Sequence, residues 1–249
     1  MTLHQPITEP QALHPSLWLA SQLAHASTRC VDTGHPTLSS QLPGGGWPTG
    51  TLIDLMLQQS GIGELRLLRP ALAAAARRRI VLLQPPHPPQ ALALAALGLA
   101  PSQLIWIRTS GTSRSSDALW AAEQVLRSGS CGAVLFWQNH ARGLCTATLR
   151  RLHLAAHSGE TLFFMLRPLA AAQDSSPAPL RLSLRPAPGG LDIEFVKRRG
   201  PQRDTPLFLP LPLSLTLPLP PSVLQRHATL DRTLFAPVTA RSILPELVQ

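Results

Sequence analysis

An α/β fold with a mostly parallel sheet flanked by helices is what this sequence predicts, and three observations predict it. Near-continuous apolar runs of strand length fall at 51–56, 80–83, 104–107, 132–137 and 161–166. Such runs mark strands buried on both faces. Segments of helical periodicity separate them, which is the βαβ pattern. Gly and Pro punctuate the joins.

Taken in order, residues 1–26 mix Pro, His and polar side chains with one apolar helical stretch around Leu17, Trp18, Leu19 and Leu23. They form an expected arm. Residues 33–50 are turn-rich, and Pro43-Gly44-Gly45-Gly46 before Trp47-Pro48 marks a tight connection. After the strand at 51–56, a helix is expected over 62–79, with Leu65, Leu68, Leu72 and Ala75 on one stripe. Pro70 kinks it or delays its start. The strand at 80–83 ends at Gln84-Pro85-Pro86. Pro88-Pro89 opens a helix that Gly98 stops, the usual asymmetry of Pro at the start and Gly past the end. A helix over 117–127, capped by Ser115 or Ser116, leads to the strand at 132–137, and a helix over 144–156 leads to the strand at 161–166. Segments 179–185 and 191–197, joined through Pro186-Ala-Pro-Gly-Gly190, predict an antiparallel hairpin on the sheet's edge. From Gly200 the pattern dissolves. Prolines including Pro210, Pro212, Pro218, Pro220 and Pro221 forbid a helix and a central ladder. The expected division is an arm at 1–26, a core at 27–200 and a Pro-rich extended tail at 201–249.

The 249 residues are 44% hydrophobic, enough for one sizeable core. Net charge is +9, nearly all from arginine, and this balance points to an anionic partner, nucleic acid being the usual one. An Ala-, Leu-, Arg- and Pro-rich chain with one lysine and no tyrosine is also what a GC-rich genome produces. Cys30, Cys131 and Cys145 form no pairing or C-x-x-C pattern, so buried thiols in a reducing cytoplasm are expected. The N-terminus has no basic region followed by an apolar one, so no export signal is expected. Proline interrupts the longest apolar run, at 208–224, which therefore falls short of the roughly 20 residues of a spanning helix. A soluble, cytoplasmic protein is expected.

The strand at 51–56 followed by Gln58-Gln-Ser-Gly-Ile-Gly-Glu-Leu65 and an apolar helix has the outline of a P-loop. A working P-loop needs G-x-x-x-x-G-K-[ST], because backbone N–H groups cradle phosphate, lysine neutralises it and the hydroxyl holds Mg²⁺. Here Gly61 and Gly63 are followed by Glu64 and Leu65, a carboxylate where a cation belongs. The only lysine, Lys197, lies far along the chain.

Three stretches carry a resemblance to a known family. They are Val31-Asp-Thr-Gly34 through Leu42-Pro-Gly-Gly-Gly-Trp-Pro48 and Leu52-Ile-Asp-Leu55; Leu126-Arg-Ser-Gly-Ser-Cys-Gly-Ala-Val-Leu-Phe-Trp137; and Leu191-Asp-Ile-Glu-Phe-Val-Lys-Arg-Arg-Gly200. Over 27–200 the chain resembles the RecA core, and more closely the bacterial ImuA family of translesion-synthesis-associated, SulA-like proteins. The resemblance implies a RecA-like fold and a non-catalytic accessory factor of SOS-induced mutagenic repair. The partners it implies are RecA, ImuB and, through ImuB, a DnaE-type error-prone polymerase. Where that fold would carry its Walker B acid stands Phe136-Trp137-Gln138, and where it would carry a general-base glutamate stands Gln84. Phosphoryl transfer depends on such positioned charges, so a pseudo-ATPase without cofactor is expected. The rival expectations are a divergent ATPase with arginine in place of lysine, and a SulA-type division inhibitor that binds FtsZ.

Lys197, Arg198, Arg199 and Arg203 form the densest basic cluster and are the candidate contacts for DNA or an acidic partner; a solvated hairpin end is the alternative. Arg77, Arg78 and Arg79 fit a helix C-terminus, where cations meet the dipole, and Arg150 and Arg151 an amphipathic helix. His140, His153 and His157 invite a metal reading, since His153 and His157 share a helix face, but no third ligand lies near that pair, so surface histidines rather than a metal site are expected. Trp106, Trp120 and Trp137 read as core or interface anchors.

Overall fold

The computed structural model describes residues 29–109, 114–138, 144–200, 203 and 205–212. Its main sheet holds eight strands. These are β3 (Thr51–Leu57), β4 (Arg79–Leu83), β5 (Leu104–Ile107), β6 (Cys131–Trp137), β7 (Leu162–Pro168), β8 (Leu180–Ala187), β9 (Gly190–Lys197) and β10 (Leu207–Pro210). They lie in the order β10-β9-β8-β3-β7-β6-β4-β5. Every neighbour pair from β8 to β5 is parallel, and β8-β9 and β9-β10 are antiparallel. Strands β1 (Cys30–Asp32) and β2 (Gly46–Pro48) form a separate two-stranded antiparallel sheet. The α/β class and the parallel sheet therefore agree with the sequence.

Helix cover on both faces explains the missing polar alternation in β3, β6 and β7. One face carries α2 (Glu64–Ala75) and α3 (Ala91–Ala96), whose Leu67, Leu68, Leu72 and Leu94 join Ile53, Leu55, Leu135 and Phe164. The short helix α1 (Pro36–Ser39) adds Leu38 there, and Trp47 meets Phe164 edge-on at 5.4 Å. The other face carries α4 (Arg114–Ser128) and α5 (Thr146–Ala156), whose Ala122, Leu126, Leu149 and Leu152 pack on Leu52, Val134 and Phe163.

Several expectations need correction. The hairpin β8-β9 is not the sheet's edge: β8 pairs with β3, and β9 is covered by β10. The first part of the expected tail is thus a strand of the core, so the sheet extends past residue 200. Leu209 and Leu211 are buried, and Pro210 is tolerated because an edge strand has a side that needs no donor. A Cβ on Gly190 would sit 2.1 Å from the Leu209 carbonyl oxygen, so glycine at the hairpin turn is what lets β10 approach. The remainder of the tail, from residue 213, and the arm at 1–26 lie outside the described residues. The turn-rich stretch at 33–50 holds β2 and α1. Helix α2 stops at Ala75 rather than 79, so the arginine triplet does not cap it: Arg78 donates to the Gly129 and Ser130 carbonyls and Arg79 opens β4. Helix α4 starts at Arg114, placing Ser115 and Ser116 inside its first turn. No helix among the described residues is long and apolar enough to cross a membrane.

Pro70 sits inside α2, and its ring explains one motif glycine. Gly34, at φ +73°, lies where a Cβ would stand 2.3 Å from Pro70 Cβ.

Candidate functional site

The loop from β3 to α2 is built as an anion cradle and filled by its own side chain. Gly63 is the N-cap of α2 at φ 118°, a left-handed value that favours glycine. The turn brings the N–H groups of Gly61 and Gly63 to one point. Glu64, the first residue of the helix, folds its carboxylate back onto them. Gly61 N–H donates to Oε1 at 2.9 Å and Oε2 at 3.1 Å, and Gly63 N–H donates to Oε2 at 3.1 Å. Glu64 is 4% exposed. Oriented amides and the positive end of a helix dipole are what a phosphate would seek, and a carboxylate satisfies them by the same electrostatics. Leu65 only packs against the core. The sequence showed Glu64 as a charge of the wrong sign; it did not show the carboxylate turned inward as the cradle's occupant.

Around the loop, neutral amides follow the ends of three strands: Gln58 after β3, Gln84 after β4 and Gln138 after β6. Gln84 has φ 53°, a left-handed backbone unusual outside glycine; its N–H donates to the Ile107 carbonyl at 2.9 Å and its side chain to Thr109 Oγ1. Gln138 is buried, its N–H donating to the Leu166 carbonyl at 2.9 Å. The cavity beside the loop, which Gln58, Ser60, Trp137 and Arg167 line, measures about 170 Å³. Organic-ligand sites usually begin near about 300 Å³. Arg66, the arginine closest to the loop, donates from Nη1 to the Leu211 carbonyl at 2.9 Å and so ties the chain after β10 to α2.

Beneath this end of the sheet lies a charge network that no sequence motif announced. Asp54 of β3 accepts at Oδ2 from Arg167 Nη1 at 3.2 Å and from Arg181 Nε at 3.1 Å. Arg167 also donates to Asp174 at 2.6 Å, and Arg181 to the Ala171 carbonyl at 2.8 Å. The side chains of Asp54 and Arg167 are both fully buried. Only the parallel register of β3 against β7 and β8 brings these residues together.

The predicted basic cluster separates. Lys197 donates to the Ser176 carbonyl at 3.1 Å. Arg198 donates to the Gln41 carbonyl and stacks on Phe195, 4.8 Å from the ring centroid. Arg203 donates to the Thr205 carbonyl at 2.8 Å. Arg199 alone of the four lines a cleft of about 390 Å³ at the opposite end of β3 from the loop, together with His153 and His157.

In that cleft the Leu52 N–H lies 3.3 Å from His153 Nδ1, as does Thr51 Oγ1. An amide N–H only donates, so Nδ1 accepts and neutral His153 carries its proton on Nε2, which reaches His157 Nε2 at 3.2 Å. A metal bound at His153 Nε2 would need the proton on Nδ1, against the Leu52 N–H. The pair is therefore organised as a hydrogen bond. His140 lies outside the described residues. Of the tryptophans, Trp137 is core, whereas Trp106 and Trp120 are 46% and 63% exposed. Arg151 pairs with Glu123 of α4 at 2.8 Å.

Burial holds the His153 imidazole below the usual histidine range, with the neighbouring charges of His157 and Lys197 adding to it. Because the unfolded chain then takes up the proton more readily than the folded one, this contribution to stability is complete above about pH 6.5. It is lost as pH falls through the lowered folded-state value. The urea midpoint is expected to fall as pH drops below about 6.5, and His153→Asn, which cannot titrate, should flatten that fall; equal slopes in both proteins would refute the assignment.

What fold and loop define is an α/β protein with a mostly parallel sheet, whose strand-to-helix anion cradle is closed by its own carboxylate. Comparison with protein-family models finds no match, and comparison with curated proteins finds none either.

Proposed function

We propose that this chain is a non-catalytic accessory protein of SOS-induced translesion DNA synthesis, an ImuA-like, RecA-shaped scaffold acting through contacts with RecA and ImuB. Through ImuB it would reach a DnaE-type error-prone polymerase. The observation that carries the proposal is the Glu64 carboxylate seated on the loop N–H groups. A scaffold that keeps a P-loop outline but fills the cradle with a fixed anion has given up triphosphate chemistry and kept its surfaces. The sheet order supports the reading, because β3 and β7 are neighbours whose chains continue to opposite sides, β3 to β4 and β7 to β8. Open α/β sheets place their ligand loops at such switch points. The amides at 58, 84 and 138 support it too, since none offers the negative charge that holds Mg²⁺.

A surface suited to protein contact lies at β5. Among the described residues no strand pairs with its outer side. Ile105 and Trp106 are exposed there, and Leu92 of α3 is 51% exposed. Unpaired edges with apolar side chains recruit extended segments of other chains.

Pull-down with purified RecA and ImuB tests the proposal, with FtsZ as a third bait. Binding to RecA or ImuB is expected, and Trp106→Ala should weaken it about thirtyfold or more, the effect of losing an aromatic anchor. Capture of FtsZ alone would replace the repair reading with division inhibition. Undiminished binding by Trp106→Ala would remove β5 from the interface. A chain truncated after Leu213 leaves β10 in place and tests the remaining tail separately.

A further inference from the structure

We propose that the cleft at the amino-terminal ends of β3 and β8 is a binding site for a nucleotide, held by its phosphate. It is separate from the loop after β3. Seven residues of β3 intervene, about 20 Å at strand rise. Its volume of about 390 Å³ lies within the range of organic-ligand sites and exceeds what a bare oxyanion needs.

The lining divides by chemistry. Arg199 and His157, both exposed, supply donors, and no carboxylate is among the described lining residues. Lys197 adds positive charge close enough to act on His153. Unlike its neighbours Lys197 and Arg198, Arg199 lines open space, where a guanidinium presents a fork of donors matched to phosphate oxygens. His157 receives the His153 proton on Nε2, so its remaining proton sits on Nδ1, available to an acceptor. Apolar lining comes from Pro43, Pro48, Pro177, Pro179 and Leu180. Cationic donors together with apolar lining match a phosphate joined to a base, whose faces are apolar.

This inference stands apart from the docking proposal, because it concerns a cleft away from both β5 and the loop. Calorimetric titration of the full chain tests it with four probes: deoxyadenosine monophosphate, deoxyadenosine, and single-stranded thymidine oligomers with and without a 5′-phosphate. The monophosphate should bind saturably and deoxyadenosine should not. Arg199→Ala and His157→Ala, both at exposed positions, should each weaken binding about tenfold or more, the loss of a hydrogen bond to a charged group. Arg185→Ala, at the far end of β8, removes the same charge and should leave it unchanged. Preference for the phosphorylated oligomer would assign the ligand as a strand end, and binding of the monophosphate without either oligomer would assign it as a free nucleotide. Failure of the monophosphate to bind, or binding indifferent to both cleft substitutions, would overturn the proposal.

Discussion

Asp54→Ala is expected to destabilise the fold by about 3–5 kcal/mol, the range found when one partner is removed from a buried ion pair. Among the described residues Asp54 is the only acid that bridges Arg167 and Arg181, both of which donate to its Oδ2. Without it the Arg167 guanidinium, wholly enclosed, keeps only Asp174 among the described acids, and that side chain is 37% exposed. Arg181 keeps backbone carbonyls of Ala171 and Ala172. An enclosed charge left underpaired costs far more than the pair is worth, because desolvation has already been incurred by both guanidinium groups. The double variant Asp54→Leu with Arg167→Met should therefore be more stable than Asp54→Ala alone. Urea denaturation at unchanged slope reads the difference, and a loss below about 1 kcal/mol, the usual scale of an exposed pair, would show that the network is not sealed as described.

Glu64→Ala has two expected consequences, one in stability and one in ligand response. The carboxylate satisfies Gly61 and Gly63 N–H groups with charge-assisted bonds at the start of α2. Its loss should cost about 1–3 kcal/mol. The vacated amides and the helix dipole then form an open anion site. Phosphate or pyrophosphate should raise the melting temperature of Glu64→Ala in a concentration-dependent way, as any ligand of the folded state does, and by more than it raises that of the unaltered protein, which shares every other anion-binding surface. Equal responses in both proteins would mean that the carboxylate does not close the cradle.

Much of this architecture could be read from sequence because burial on both faces leaves a plain mark. The runs containing Ile53, Val81, Val134 and Phe163 have little polar interruption, and each is a strand of the main sheet. Edges are harder to read. Leu207–Pro210 carries enough proline to look like a tail, yet it pairs with β9 because an edge strand requires donors on one side only. Strands β1 and β2 are three residues each, too short for periodicity to register. At the loop, sequence gave the charge of Glu64 and not its direction, which depends on the backbone turn at Gly63. The basic run at 197–203 looked like one patch. Local hydrogen bonding instead commits Lys197 and Arg198 to the carbonyls of Ser176 and Gln41 and leaves Arg199 in the cleft. Asp54, Arg167 and Arg181 are far apart in sequence, so only strand register could join them.

Titration of the unaltered chain with Mg²⁺–ATP, followed by both binding heat and phosphate release, tests the central claim most directly. With Glu64 seated on the Gly61 and Gly63 amides and Arg66 engaged with the Leu211 carbonyl, the account predicts no saturable site at this loop and no turnover. Saturable Mg²⁺–ATP binding with hydrolysis that Glu64→Ala or Arg66→Ala abolishes would contradict it.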